Sequence, residues 1–230
     1  MKRNIRFRKM WNSFVTLTIW EMESPVISWI FTVPEIMKEN FQSCLTCTEA
    51  VFSLGKRRGP FVLCRNESER FWVFSFEYPL APEALFPQIL KDLMTGMGNA
   101  KRYFETYDGD GEHIYMTGTS AGASLCVYLA AMLKSPELAK AFQVVPNDLK
   151  IRALGLASGM YYTTKPDSIG IFLPSYIYGK HWKKSSFYPY INPENKEIIR
   201  NLPPSFLVTA YGDTLRNYSR QYAKAIKKPV

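Results

Sequence analysis

Gly118-Thr119-Ser120-Ala121-Gly122 joins a short apolar run, Ile114-Tyr115-Met116-Thr117, to an alanine- and leucine-rich stretch from Ala121 to Leu133. This strand-to-helix junction constrains the fold more than any other feature of the sequence. So sharp a bend holds its central residue in a strained backbone conformation, and small residues two before and two after let neighbouring chain approach without clash. Residue 120 is then presented at the C-terminal edge of a sheet and at the N-terminus of the next helix. There, unpaired N–H groups and the positive end of the helix dipole meet.

The chain from about residue 70 onward agrees with such a junction, because strand-like and helix-like segments alternate as they do in a parallel sheet with crossover helices. Phe71-Trp72-Val73-Phe74-Ser75-Phe76 reads as a buried strand. Leu85, Phe86, Ile89, Leu90, Leu93, Met94, Met97, Ala100 and Phe104 recur at three and four, which predicts an amphipathic helix opened by Pro82. Further strands are predicted at 151–157 and 205–210, and Leu215, Tyr218, Tyr222, Ala223 and Ile226 fall on one helical face after the last of them. Residues 158–204 are rich in Tyr, Pro, Lys and Ser without a long periodic run, and read as a loop-rich excursion over one end of the sheet. Residues 1–60 form a poorly legible N-terminal segment, and residues 61–230 the α/β core.

With 230 residues, 47% apolar and 21% charged, the chain can bury a sizeable core, and aromatic residues at 15% supply its bulk. The net charge of +9 is dispersed. Basic residues gather at 2–9, at Lys56, Arg57 and Arg58, around Lys180–Lys184 and at Lys224–Lys228, with no RNP-like strand, finger spacing or recognition helix beside them, so no nucleic-acid partner is expected. Cys44 and Cys47 form a C-x-x-C pair, yet Cys64, Cys126 and the two histidines, His113 and His181, supply no second pair, so no metal is expected. The apolar run at 11–20 is too short to span a bilayer, and Glu21 and Glu23 stop it from extending, which leaves a cytoplasmic chain with reduced thiols as the expectation.

A serine hydroxyl at the junction is a nucleophile only if a base takes its proton and an acid orients that base. The Ala121 N–H is the first donor available to an oxyanion beside Ser120. Asp213, in Tyr211-Gly212-Asp213-Thr214-Leu215, follows a predicted strand whose end faces the same sheet edge. It reads either as the acid or as an N-cap for the next helix. A Gly/Ser loop that only caps a helix is the other reading of residues 118–122.

Taken together, Glu77-Tyr78-Pro79-Leu80-Ala81-Pro82-Glu83, Phe86-Pro87, Asp92, Gly118-Thr119-Ser120-Ala121-Gly122 and Pro203-Pro204-Ser205-Phe206-Leu207-Val208-Thr209 leading to Asp213 resemble the α/β-hydrolase fold. The likeness is greatest to the esterase/lipase branch related to hormone-sensitive lipase, and it covers roughly residues 70–228. It implies a mostly parallel sheet with helices on both faces, Ser120 as the nucleophile at an elbow framed by Gly118 and Gly122, Asp213 as the triad acid and Ala121 as an oxyanion-hole donor. It also implies a small-molecule ester as substrate and no cofactor.

Two departures from the family pattern shape the functional expectation. Residues 1–70 hold no His-Gly-Gly string, Gly55 and Gly59 being their only glycines, and position 79 is Pro where the family usually has Arg. The family's histidine lies beyond one further strand after the acid, whereas this chain reaches Val230 in the helix after Asp213, so the fold is expected to lack its usual last strand and helix. His113 precedes the strand leading to Ser120, which puts it roughly 15 Å or more from the hydroxyl. His181 falls in the excursion, before the acid rather than after it. The expected function is therefore a serine carboxylester hydrolase working through an acyl-enzyme on Ser120, a reading that requires either that the chain be a fragment or that a histidine be supplied in an unusual way. The alternative is a catalytically inactive hydrolase-fold remnant or binding protein. An uncovered sheet edge further predicts self-association.

Overall fold

The computed structural model describes residues 5–9, 14–19, 29–34, 42–47, 71–76, 78–106 and 110–227. Cys64, the basic triplet at 56–58, and the glycines at 55 and 59 lie outside them. Among the described residues eight strands form one sheet: β1 (Ile5–Lys9), β2 (Phe14–Ile19), β3 (Trp29–Pro34), β4 (Gln42–Cys47), β5 (Phe71–Phe76), β6 (Asp110–Thr119), β7 (Ile151–Ala157) and β8 (Ser205–Val208). Their spatial order is β1-β2-β3-β5-β4-β6-β7-β8. β1, β2, β3 and β5 pair antiparallel in turn. From β5 through β4, β6 and β7 to β8 every pairing is parallel.

The helices are α1 (Phe86–Thr106), α2 (Ala121–Met132), α3 (Pro136–Ala141), α4 (Ser168–Tyr178), α5 (Lys196–Ile199) and α6 (Arg216–Ile226). α1 buries the face marked out by its three-and-four spacing: Phe86, Ile89, Leu90, Leu93, Met94, Met97 and Ala100 are all withdrawn from solvent. Its start differs from the sequence expectation. Pro82 sits in a turn where the Ala84 N–H donates to the Leu80 carbonyl at 3.1 Å, and the helix begins at Phe86. Pro87, one residue further, occupies the first turn, where a missing N–H interrupts no helical bond.

α2 is buried at all twelve positions, which explains its uniformly apolar and small composition. β6 alternates from Ile114 onward, with Ile114, Met116 and Gly118 buried and Tyr115, Thr117 and Thr119 half-buried. The Cys126 thiol donates to the Thr117 carbonyl at 3.2 Å, tying α2 back to the strand before it.

Residues 158–204 contain α4, two short 3-10 turns (Trp182–Lys184 and Tyr188–Tyr190) and α5. Asp167 caps α4 by accepting from the Gly170 N–H at 3.0 Å. This excursion is anchored by aromatic packing. Phe86 meets Tyr128 and Tyr178 edge to face at 5.2 and 5.4 Å, and the Tyr128 hydroxyl reaches the Ile191 carbonyl at 2.8 Å. α6 is held against the same excursion. The Tyr161 and Tyr222 rings stack at 4.3 Å, the Tyr218 hydroxyl donates to Asp167, and Glu194 accepts from Tyr162 at 2.6 Å and from Gln221 at 2.7 Å.

Candidate active site

Ser120 stands between the last residue of β6 and the first of α2, with φ 54° and ψ −118°. A positive φ at a non-glycine residue costs about 1–3 kcal/mol and persists only where the surroundings over-determine it. Two features do so here. A Cβ on Gly118 would lie 2.5 Å from the Gly122 carbonyl carbon and oxygen and 2.8 Å from the Ala123 nitrogen, so the strand and the first turn of α2 are in backbone contact. The Ser120 N–H also donates to the Ala157 carbonyl at 3.0 Å, and the Ser120 carbonyl accepts from the Met160 N–H at 3.0 Å. Ser120 is half-buried, at the helix end where the N–H groups of the first turn, Ala121's among them, have no intrahelical acceptor.

Asp213 reaches the same rim from the far side of β7. Across the sheet Thr119 pairs with Ala157 and Ala157 with Val208, so Ser120, Ser158 and the loop leading to Asp213 leave three parallel strands at one level. Two strand spacings, about 10 Å, separate β6 from β8. The Thr209 hydroxyl donates to the carboxylate at 2.7 Å and the Leu215 N–H at 2.9 Å. The influence of the Ser158 hydroxyl, with these two bonds, holds it below the ordinary carboxylate range. The N-cap role that the sequence also allowed falls to Leu215, which makes no side-chain cap bond, and the Asp213 bond to the Leu215 N–H closes a turn two residues on, ahead of α6. The other Asp213 oxygen is committed to Thr209.

Ser158 was not legible as a site residue from sequence. It directly follows β7, has φ 46°, and its N–H donates to the Val208 carbonyl at 2.8 Å. A serine and a glycine closing a predicted strand beside the serine-bearing junction were the only signal available.

The histidines lie elsewhere. His113 is exposed near the start of β6, six residues before its C-terminal end, and its Nδ1 is 2.6 Å from the Asp110 carboxylate. His181 is exposed, in the turn between α4 and the first 3-10 turn. Cys44 and Cys47 fall in β4, in register with Tyr115 and Gly118. Three strand steps separate their Cα atoms by about 10 Å, too far for a disulfide between them. Among the described residues no group of three or more His, Cys, Asp or Glu is placed to hold a metal ion, and no helix is long and apolar enough to cross a membrane.

A family model described as the alpha/beta hydrolase fold matches residues 52–229. The chain belongs to the α/β-hydrolase fold family. The chain is 27% identical over 202 residues to Carboxylesterase NlhH of Mycobacterium tuberculosis, a match covering 84% of this chain and 63% of that protein. Over 55 residues it is 38% identical to hormone-sensitive lipase of Mus musculus, which is 24% of this chain and 7% of the lipase. Its fold matches Esterase B from Lactobacillus rhamnosis with a TM-score of 0.77 at 18% identity, covering 90% of this chain and 67% of that one. The chain thus spans 63% of the length of the carboxylesterase it matches.

Proposed function

We propose that this chain is a serine carboxylester hydrolase of the esterase/lipase type. The observation that carries the reading is the Ser120 backbone, a strained conformation imposed where β6 meets α2, with a hydrogen-bonded carboxylate in the loop that follows β8. Ser120 Oγ attacks the carbonyl carbon of a small-molecule ester while its proton passes to a base. The resulting oxyanion accepts from the Ala121 N–H, the alkoxide leaves as the alcohol after taking a proton, and water then releases the acid from the acyl-serine. Asp213 orients the base. Gly118 and Gly122 give the junction the room it needs. Acyl transfer to water uses no cofactor. The setting we propose is cytoplasmic.

A second reading is favoured by the histidine positions. With His113 engaged by Asp110 near the opposite end of β6 and His181 exposed in the excursion, the chain can hold an ester or acyl group without turning it over. Removal of the base from a Ser-His-Asp triad costs about a million-fold in turnover. Two measurements separate the readings. A fluorophosphonate probe is expected to label wild-type protein at Ser120 and to fail with Ser120→Ala; absence of labelling in folded protein overturns the nucleophile assignment. Hydrolysis of p-nitrophenyl butyrate above the Ser120→Ala background favours the hydrolase, and labelling without turnover favours the binding protein.

Self-association belongs to the same proposal. Phe206 and Val208 are 72% and 49% exposed on β8, the terminal strand of the described sheet. Light scattering is expected to give a mass that rises with concentration, and a monodisperse monomer throughout overturns the expectation.

A further inference from the structure

α4 is apolar on both faces and covered on one. Ser168-Ile169-Gly170-Ile171-Phe172-Leu173-Pro174-Ser175-Tyr176-Ile177-Tyr178 contains no charged residue. Pro174, Ile177 and Tyr178 face inward and are buried. Ser168, Ile171, Phe172, Ser175 and Tyr176 recur at helical spacing, are exposed and form the outward face. Ile171 and Phe172 are 68% and 78% exposed, among the most exposed large apolar side chains of the described residues. A helix that is apolar all round is ordinarily buried, and a surface helix ordinarily turns charges outward. α4 does neither, which marks its outward face as a contact surface.

The helix is firmly seated. The Tyr176 hydroxyl donates to the Ala81 carbonyl at 2.9 Å, and a Cβ on Gly179 would lie 3.1 Å from the Leu85 side chain, so α4 leans on the turn that follows β5. Phe76 at the end of β5 and Gly118 of β6 both pair with Cys47, which puts that turn at the end of the sheet where Ser120 lies. Positive charge frames the face. Between Asp167 and Glu194 the chain carries Lys180, Lys183 and Lys184, all exposed, and no acidic residue. At the other end of α4, the Asp167 carboxylate is taken up by the Gly170 N–H and the Tyr218 hydroxyl. The turn beneath adds one exposed acid, Glu83, and one more exposed apolar side chain, Leu85.

We propose that the outward face of α4 docks the protein on the surface of a bilayer containing anionic lipid, with Ile171 and Phe172 entering the interface and Lys180, Lys183 and Lys184 on the headgroups. The docking stands apart from the chemistry at Ser120. Interfacial binding has two components, buried apolar area and attraction to anionic headgroups, and this face supplies both. The helix lies on the bilayer and does not cross it, since its 11 residues rise about 16 Å, half the hydrocarbon thickness. A second copy of the chain fits the face less well. Ile171, Phe172, Tyr176 and Leu85 fall far short of the roughly 20–30 residues a side that a stable protein interface takes.

The test is flotation of the full chain with vesicles of phosphatidylcholine alone and of about three parts phosphatidylcholine to one part phosphatidylserine. Wild-type protein is expected to float with the mixed vesicles and to bind phosphatidylcholine alone about tenfold more weakly or worse. The double variant Ile171→Ser/Phe172→Ser is expected to lose about tenfold or more in affinity for the mixed vesicles, at an unchanged urea midpoint because both side chains are exposed. Lys180→Glu/Lys183→Glu/Lys184→Glu is expected to abolish the preference for phosphatidylserine. Wild-type protein that stays at the bottom of the gradient, or floats equally with both vesicles, overturns the inference. Undiminished flotation of the double serine variant overturns it too, because the dispersed surplus of +9 would then hold the vesicle without α4. So does a phosphatidylserine preference that survives the lysine reversal. If the double serine variant lowers the mass seen by light scattering and leaves flotation unchanged, the face belongs to a second copy and the lipid reading falls.

Discussion

Gly118 and Gly122 are in backbone contact: a methyl group added to Gly118 would lie 2.5 Å from the carbonyl carbon and oxygen of Gly122. Neither neighbour is the end of a flexible side chain, so the helix itself must shift. Gly118→Ala is expected to lose about 2–3 kcal/mol of stability in urea denaturation and to lose fluorophosphonate labelling of Ser120 with it. An alanine variant as stable as wild type would show that β6 and α2 are not packed this closely.

The strain at Ser120 is separable from its chemistry. Alanine keeps the unfavourable φ of 54° and removes only the hydroxyl, whereas glycine relaxes the backbone at some cost in unfolded-chain entropy. Ser120→Gly is expected to be more stable than Ser120→Ala by about 1 kcal/mol, with neither variant labelled. Equal denaturation midpoints would argue against stored strain at the junction.

Asp213 makes part of the folding stability depend on pH. Its carboxyl is held below the ordinary range by the Ser158 and Thr209 hydroxyls and the Leu215 N–H. The stabilisation is therefore fully present above the unfolded-chain value, about 3.9, and is lost as pH falls through the lower folded value. Asp148 beside Lys101 and Asp167 beside the Tyr218 hydroxyl are shifted in the same direction. Asp213→Asn is accordingly expected to flatten the acid limb in part, seen as a smaller drop in urea midpoint between about pH 5 and pH 2.5 than in wild type. An identical drop in both proteins would remove Asp213 from the acid response.

Phe86 joins α1 to α2 and to the excursion through edge-to-face contacts with Tyr128 and Tyr178. Replacing it with alanine opens a cavity at the meeting point of three elements, and Phe86→Ala is expected to cost about 3–5 kcal/mol. Leu85 next to it is 38% exposed, so Leu85→Ala should cost well under half as much. Urea denaturation of the pair checks both.

These contrasts show which parts of the molecule are written locally. The junction at Ser120 was readable because its requirements fall within five residues, and α1 because its buried face repeats at helical spacing. β4 was not readable: Gln42-Ser43-Cys44-Leu45-Thr46-Cys47 has no run of large apolar residues, and it becomes a strand by pairing with β5 and β6, both distant in sequence. α4 hid for a different reason. It contains Pro174 and carries Ile171 and Phe172 68% and 78% exposed, so no single apolar face marks it out. Ser158 escaped because its partner, Asp213, lies more than fifty residues further along the chain, and only the order of β7 and β8 in the sheet brings them together.

The stacked pair Tyr161–Tyr222 gives this arrangement an optical signature. One ring follows the Met160 that holds Ser120, and the other sits on the helix that begins just after Asp213. Two phenol chromophores fixed 4.3 Å apart and 26° from parallel are electronically coupled, so near-ultraviolet circular dichroism watches the seating of that helix in solution, with no substrate, inhibitor or label added.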